Sequence, residues 1–189
     1  MSSHHIVREK QEPALVILGL DNFADELLGQ LLEWSPVLIT TPLIAENLNS
    51  RGIKIDWIIS DEIDDSLQSD IKHLPVEGKS IITSALNYLT EQGYPAVNIV
   101  TDEFELSDYL PFTDKTNLVI FYGQQKIYAV NTGFSKWKPA GEVIELLSAP
   151  KDLEAIGLET IRTGVFKTVA DGLFSLRFTN PILFIAESL

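Results

Sequence analysis

Short apolar runs alternate with helical patterns through the first half of the chain. The run at 14–18 is apolar throughout, which predicts a buried strand. Apolar residues then recur at helical spacing as far as Leu32, which predicts a helix against that strand. Further strands are predicted at 37–39, 53–59, 79–82 and 96–100. Further helices are predicted at 42–51, from the cap at Ser60 or Asp61 to Leu74, and at 84–92. Strands that alternate with helices predict βαβ units and a mostly parallel sheet.

The starts of the predicted helices carry capping signals. Asp21 and Asn22 can cap the first helix, with acidic residues in its first turn. Thr41 and Pro42 fit the N-cap and the first helical position. Ser60 or Asp61 caps the third helix, and Ser84 the fourth.

The pattern changes near residue 115 to short strands separated by turns. The runs 118–122 and 126–130 flank Gly123 and predict a hairpin. Asp171 and Gly172 separate 168–170 from 173–178 and predict a second hairpin. The second of these strands alternates apolar and polar residues, so one of its faces is buried and the other is wet. Further strands at 142–147 and 182–186 make this part of the chain a predicted β-sandwich.

We therefore expect an α/β domain with a mostly parallel sheet over residues 14–115, followed by an all-β sandwich domain over 116–189. Residues 1–13 are polar, and we expect them to form a disordered N-terminus in which His4 and His5 hold no metal.

Charge and composition narrow the classes of function. The 189 residues include 14 basic and 27 acidic side chains, a formal net charge of −13. An acidic chain repels nucleic-acid phosphates and anionic membrane surfaces, so we expect neither as a partner. The chain has no cysteine, which excludes disulfides and thiol chemistry. The polar N-terminus lacks the apolar segment of a signal peptide, and no apolar run is long enough to span a membrane, so a cytoplasmic location is expected.

Two acidic groups follow predicted strands. The first, 60–65, follows the third strand, and the second, 102–108, follows the fifth. Open α/β sheets bind ligands at the carboxyl ends of their strands, where carboxylates can hold Mg²⁺. The alternatives are that the first group caps a helix and that the second is a solvated loop. Gly78-Lys79-Ser80 matches the end of a phosphate-binding loop, but the glycine that begins such a loop is replaced by His73. His73 is predicted late in a helix, near the last carbonyls.

Several stretches carry a family resemblance. The segment 55–61 resembles the strand that leads into a Gly-Asp-x-Asp-Ser motif, and 125–130, 141–147, 153–158, 171–172 and 180–185 resemble the segments of a particular β-sandwich. In this order they resemble the thiamine pyrophosphokinases. The resemblance implies an α/β domain joined to a β-sandwich, a homodimer with its site between the two subunits, and transfer of pyrophosphate from Mg-ATP to thiamine.

The resemblance also implies roles for individual residues. Asp61 keeps the first acid of the motif; Ile63 stands at the second, unless a one-residue insertion brings Asp64 there. Asp61 and Asp64 would then hold Mg²⁺ on the ATP phosphates. Asp108 or Asp102 would orient the thiamine hydroxyl.

Other family positions are replaced. Thr83 and Ser84 stand where the family has a Thr-Asp pair at a helix start, and with Asp102 they are the candidate nucleotide-binding residues. Residues 42–46 replace a stretch with an acid and two glycines. Three tryptophans can either stack on a thiazolium or pyrimidine ring of the ligand or pack in a core: Trp34, Trp57 and Trp137. Two lysines, Lys126 and Lys136, can either replace a lost cation or lie solvated at the surface.

Two functions follow from this combination. The first is a divergent thiamine pyrophosphokinase that uses ATP, Mg²⁺, and thiamine or a similar small molecule. The second is a catalytically inactive homodimeric relative that acts as a small-molecule binding or regulatory module. Asp61 and Asp64 discriminate between them, because only convergent carboxylates can share one divalent ion.

Overall fold

A computed structural model describes residues 12–61 and 70–189 of the chain. The predicted disorder of residues 1–11, with His4 and His5, and the metal ligand Asp64 lie outside the described residues. The described chain forms two compact units, and the division falls between Leu118 and Val119.

The first unit is built on a parallel sheet. Its strands are β1 (Ala14–Ile17), β2 (Leu38–Thr40), β3 (Trp57–Ile59), β4 (Lys72–Leu74) and β5 (Ala96–Thr101). They lie in the order β5-β1-β2-β3-β4, and each of these strands is parallel to its neighbours in that order. All four residues of β1 are buried, as expected for a central strand covered on both faces. The predicted parallel sheet is confirmed.

Three helices accompany this sheet among the described residues. They are α1 (Asp25–Leu32), α2 (Pro42–Ser50) and α3 (Ile81–Glu91). Two short 3₁₀ turns follow β5, at Leu106–Asp108 and Leu110–Phe112. The N-cap at Thr41 and the first helical position at Pro42 are confirmed. None of the helices described is long and apolar enough to span a membrane.

The predicted start of α1 is wrong. The helix begins at Asp25, with Ala24 at the N-cap and no side-chain capping bond. Asp21 does not cap it; the backbone N–H of Asp21 instead donates to the carboxylate of Asp102, 3.2 Å away. The local capping signal at Asp21 is therefore not used in the structure.

The predictions for residues 70–84 also need correction. Residues 79–82 are not a strand, because Ser80 caps α3 and Ile81 begins it; Ser84 lies inside the helix. Two consecutive isoleucines, Ile81 and Ile82, are typical of a strand. In the structure Ile82 is instead a buried residue of the helix, 7% exposed. His73 lies in β4 and not late in a helix, and its Nε2 lies 3.2 Å from the Ser60 hydroxyl.

The second unit is a β-sandwich. The strands that complete the fold are β6 (Asn117–Tyr122), β7 (Gln125–Val130), β8 (Phe134–Lys138), β9 (Val143–Leu146), β10 (Glu154–Ile156), β11 (Leu158–Arg162), β12 (Val165–Thr168), β13 (Gly172–Arg177) and β14 (Leu183–Ser188). Within this unit the strands of the larger sheet lie in the order β11-β12-β9-β14-β7-β6, and a separate three-stranded sheet has the order β10-β13-β8. Residues of both sheets form one core, including Ile144 and Ile185 from the larger sheet and Phe174 and Leu176 from the smaller.

One predicted hairpin is confirmed and one is wrong. β6 and β7 pair antiparallel around Gly123, whose positive φ of 58° suits glycine in a tight turn. Asp171 and Gly172 do not close a hairpin, because β12 and β13 belong to different sheets. Here the Asp171 carboxylate accepts from the Ala140 N–H at 2.8 Å, so the pair marks the passage between two sheets.

Candidate functional site

A cleft of about 750 Å³ lies at the carboxyl ends of three strands of the first unit. Leu18 follows β1, Thr41 follows β2, and Thr101 ends β5; all three line the cleft. β1 lies between β5 and β2, and the chain leaves it toward β2 on one side and returns through β5 on the other. Such a reversal of strand order leaves a crevice where open α/β sheets bind ligands.

The wall of this cleft is acidic. Asp102, Glu103, Glu105 and Asp108 contribute to it, and no lysine or arginine is found among its lining residues in the described chain. Apolar side chains, among them Leu43, supply much of the remaining wall. These charges favour a cationic ligand, or an anionic ligand that brings a metal cation with it.

Asp102 is held by the loop that follows β1. Its Oδ2 accepts from the Asp21 N–H at 3.2 Å. A Cβ atom added at Gly19 would lie 2.1 Å from that oxygen and 2.7 Å from the backbone nitrogen of Asp102. Only glycine therefore permits this close approach. Sequence reasoning missed Gly19, although a glycine directly after a buried strand was the available signal.

The loop after β5 positions Asp108. The Thr101 hydroxyl donates to the Glu103 carbonyl at 2.8 Å, which turns the chain at the strand end. Tyr109 is 2% exposed and stacks on Phe104 with ring centroids 5.4 Å apart. Burial, and then the charge of Asp108, raise the pKa of the Tyr109 phenol, so it stays protonated. The buried ring of Tyr109 thus fixes the chain directly after the candidate acid Asp108.

The Asp61 carboxylate accepts hydrogen bonds from backbone N–H groups in this structure. Its Oδ1 accepts from the N–H groups of Val76 at 3.1 Å and Glu77 at 3.3 Å, and it is not a lining residue of the cleft. The carboxylate therefore fixes the turn that precedes α3. Because Asp64 lies outside the described residues, the shared metal site of Asp61 and Asp64 stays a prediction.

Thr83 and Ser84 lie in the first turn of α3. The Ser80 hydroxyl accepts from the Thr83 N–H at 3.2 Å and donates to the Thr83 hydroxyl at 2.7 Å. The Ser84 hydroxyl is buried and donates to the Val76 carbonyl at 2.8 Å. Of these side chains only Ser80 lines the cleft. The nucleotide contacts that the resemblance assigns to Thr83 and Ser84 stay predictions.

The remaining candidates lie elsewhere. Trp34 and Trp137 are 69% and 59% exposed. Trp57 is half-buried and packs against Tyr88, 4.7 Å between ring centroids. Lys136 is not a solvated lysine, because its ammonium lies 2.6 Å from the Glu187 carboxylate in the second unit.

A metal ion held by protein alone does not fit the described residues. They include no group of three or more His, Asp or Glu side chains that could hold one. Mg²⁺ in nucleotide sites needs only one or two carboxylates, because phosphates and water complete its coordination. Asp102 and Asp108 line the cleft, so the described residues supply carboxylates of the type that an ion of that second kind needs.

The architecture defines the structural class: a parallel α/β unit followed by a β-sandwich. Solved thiamine pyrophosphokinases share this fold. The Geobacillus thermodenitrificans enzyme matches with a TM-score of 0.66 and 15% identity, over 93% of this chain and 97% of the other. The Bacillus subtilis enzyme matches with a TM-score of 0.64 and 11% identity, over 93% of this chain and 98% of the other. The yeast enzyme matches with a TM-score of 0.56 and 12% identity, over 97% of this chain and 88% of the other. No family model and no curated protein matches the sequence.

Proposed function

We propose that this protein is a divergent thiamine pyrophosphokinase that binds a Mg-nucleotide in the acidic cleft and transfers pyrophosphate to thiamine or a similar alcohol. The observation that carries the proposal is the cleft itself, at the strand ends of a chain that shares the fold of solved thiamine pyrophosphokinases. Its volume is in the usual range for small-molecule sites.

The charge of the cleft bears on how such a reaction would work. Pyrophosphoryl transfer depends on positioning and on neutralising phosphate charge. Because no basic side chain of the described residues lines the cleft, a bound Mg²⁺ would supply that positive charge. Asp102 and Asp108 are proposed to hold the ion or to orient the acceptor hydroxyl. Asp61 and Asp64 remain proposed ligands on the family resemblance.

The assembly and location are part of the same proposal. We propose a homodimer in the cytoplasm, since the family resemblance implies a site completed by two subunits. Sedimentation velocity would test the dimer directly, with a single species at twice the chain mass as the expected result.

A second candidate function is a catalytically inactive relative that binds a small molecule. Two observations favour it: no lysine or arginine lines the cleft in the part of the chain described, and Asp61 is already bonded to backbone N–H groups. A cationic ligand such as thiamine would suit such a cleft without any nucleotide.

Release of AMP from ATP, with Mg²⁺ and thiamine, separates the two candidates. If the first is correct, we expect thiamine-dependent turnover that falls about 10²-fold in Asp102→Asn. Asp114→Asn is the matched control, because Asp114 is exposed and does not line the cleft. Saturable binding of thiamine without turnover would support the second candidate. Neither turnover nor binding of thiamine or Mg-ATP would overturn both.

A further inference from the structure

A buried carboxylate lies inside the sandwich of the second unit. Glu187, 3% exposed, accepts a hydrogen bond from the Tyr128 hydroxyl at 2.7 Å. Its other oxygen faces two ammonium groups, Lys136 at 2.6 Å and Lys138 at 3.2 Å. Burial alone would raise the pKa of Glu187, but the hydrogen bonds from Lys136 and Tyr128 outweigh burial and hold the pKa below its ordinary value. The carboxylate is therefore ionised and already saturated with donors.

A third lysine joins this group. Lys126 on β7 lies directly opposite Glu187 on β14 in the strand register, so its side chain is on the same face of the sheet. It is half-buried, and no carboxylate of the described residues forms an ion pair with its ammonium. Burial, and then the charge of Lys136, lower the pKa of Lys126, and the opposing charge of Glu187 offsets them only in part.

The charges of this cluster do not balance. Three ammonium groups face the single buried carboxylate of Glu187. Glu142 compensates in part, 3.6 Å from Lys138 and 38% exposed. One positive charge is left over, in a chain whose net charge is −13. A half-buried charge without a partner is unfavourable, so a further anion would stabilise the cluster.

We propose that Lys126, Lys136 and Lys138, which we call the lysine cluster, bind a small oxyanion of the phosphate class, with Lys126 as its principal ligand. Lysine ammonium groups bind phosphate as point charges. The cluster is reachable, since the side chains of Lys136 and Lys138 are 35% and 17% exposed. The site lies wholly within the second unit and shares no residue with the lining of the cleft.

Titration with inorganic phosphate tests this site on the whole chain. Phosphate is added to the protein at constant ionic strength against chloride, and binding is followed by calorimetry and by the melting temperature. We expect saturable binding that weakens about tenfold or more in Lys126→Gln and is largely kept in Lys126→Arg. Lys151→Gln is the matched control: an exposed lysine of the same unit that likewise has no ion pair among the described residues.

The outcomes are distinct. Because Lys126 has no ion-pair partner to lose, Lys126→Gln should fold and melt at or above the wild-type temperature when phosphate is absent. Saturable binding that is lost in Lys126→Gln and kept in Lys151→Gln supports the site. No saturable binding to the wild type, or equal binding by Lys126→Gln, overturns it, whatever the stability of the variant. A parallel titration with glycerol phosphate shows whether a phosphate monoester or the free ion binds more tightly.

Discussion

The acidic cleft and the lysine cluster are two concentrations of charge with opposite signs and opposite exposure. The cleft gathers acids such as Asp102 and Glu103 on one loop at the end of a strand, where water screens them. The lysine cluster surrounds Glu187, which is almost fully buried. The cleft can keep its charges unpaired at little cost, whereas the cluster cannot. Stability should therefore depend more on the charges of the cluster than on those of the cleft.

The largest expected effect comes from removing the buried carboxylate. Glu187→Ala leaves Lys136 and Lys138 without their shared partner, and we expect the free energy of unfolding to fall by about 3 kcal/mol. Urea denaturation measures this change. Glu159→Ala is the control, because Glu159 forms an exposed pair with Lys167 at 2.7 Å and should cost less than about 1 kcal/mol. Equal losses in the two variants would contradict the contrast between buried and exposed charge.

A smaller effect is expected at the glycine beneath the cleft. Gly19→Ala places a Cβ atom 2.7 Å from the backbone nitrogen of Asp102, so the loop must shift, at a cost of about 2 kcal/mol. Ligand affinity of the cleft should fall with it. Gly29→Ala is the matched control, since Gly29 lies in α1 with open space around its Cβ position. That change should stabilise the protein by about 0.5 kcal/mol. A neutral Gly19→Ala would show that Asp102 is not held as described.

The cleft was easier to predict from sequence than the lysine cluster. Acids that directly follow a predicted strand mark the edge of a parallel sheet, so local pattern placed Asp102 and Asp108 at that edge, where both line the cleft. Their proposed roles came from the family resemblance, because the pattern alone is equally that of a solvated loop. The cluster joins Lys126 to Glu187 across 61 positions through strand register, which no local pattern reveals. The alternation of β13 was also predictable, but its partner strand was not: the Asp171–Gly172 signal describes a turn and does not specify which strands pair.

The smallest effect that we predict tests how local capping supports the cleft. Ser80 caps α3 and lines the cleft, and Ser80→Ala should cost about 1 kcal/mol through loss of the bond from the Thr83 N–H. Thr41 caps α2 and also lines the cleft, but it makes no side-chain capping bond, so Thr41→Ala should cost clearly less. Chemical denaturation of both variants decides this. Equal losses in the two variants would contradict a capping contribution from the Ser80 hydroxyl, because only Ser80 makes a side-chain capping bond.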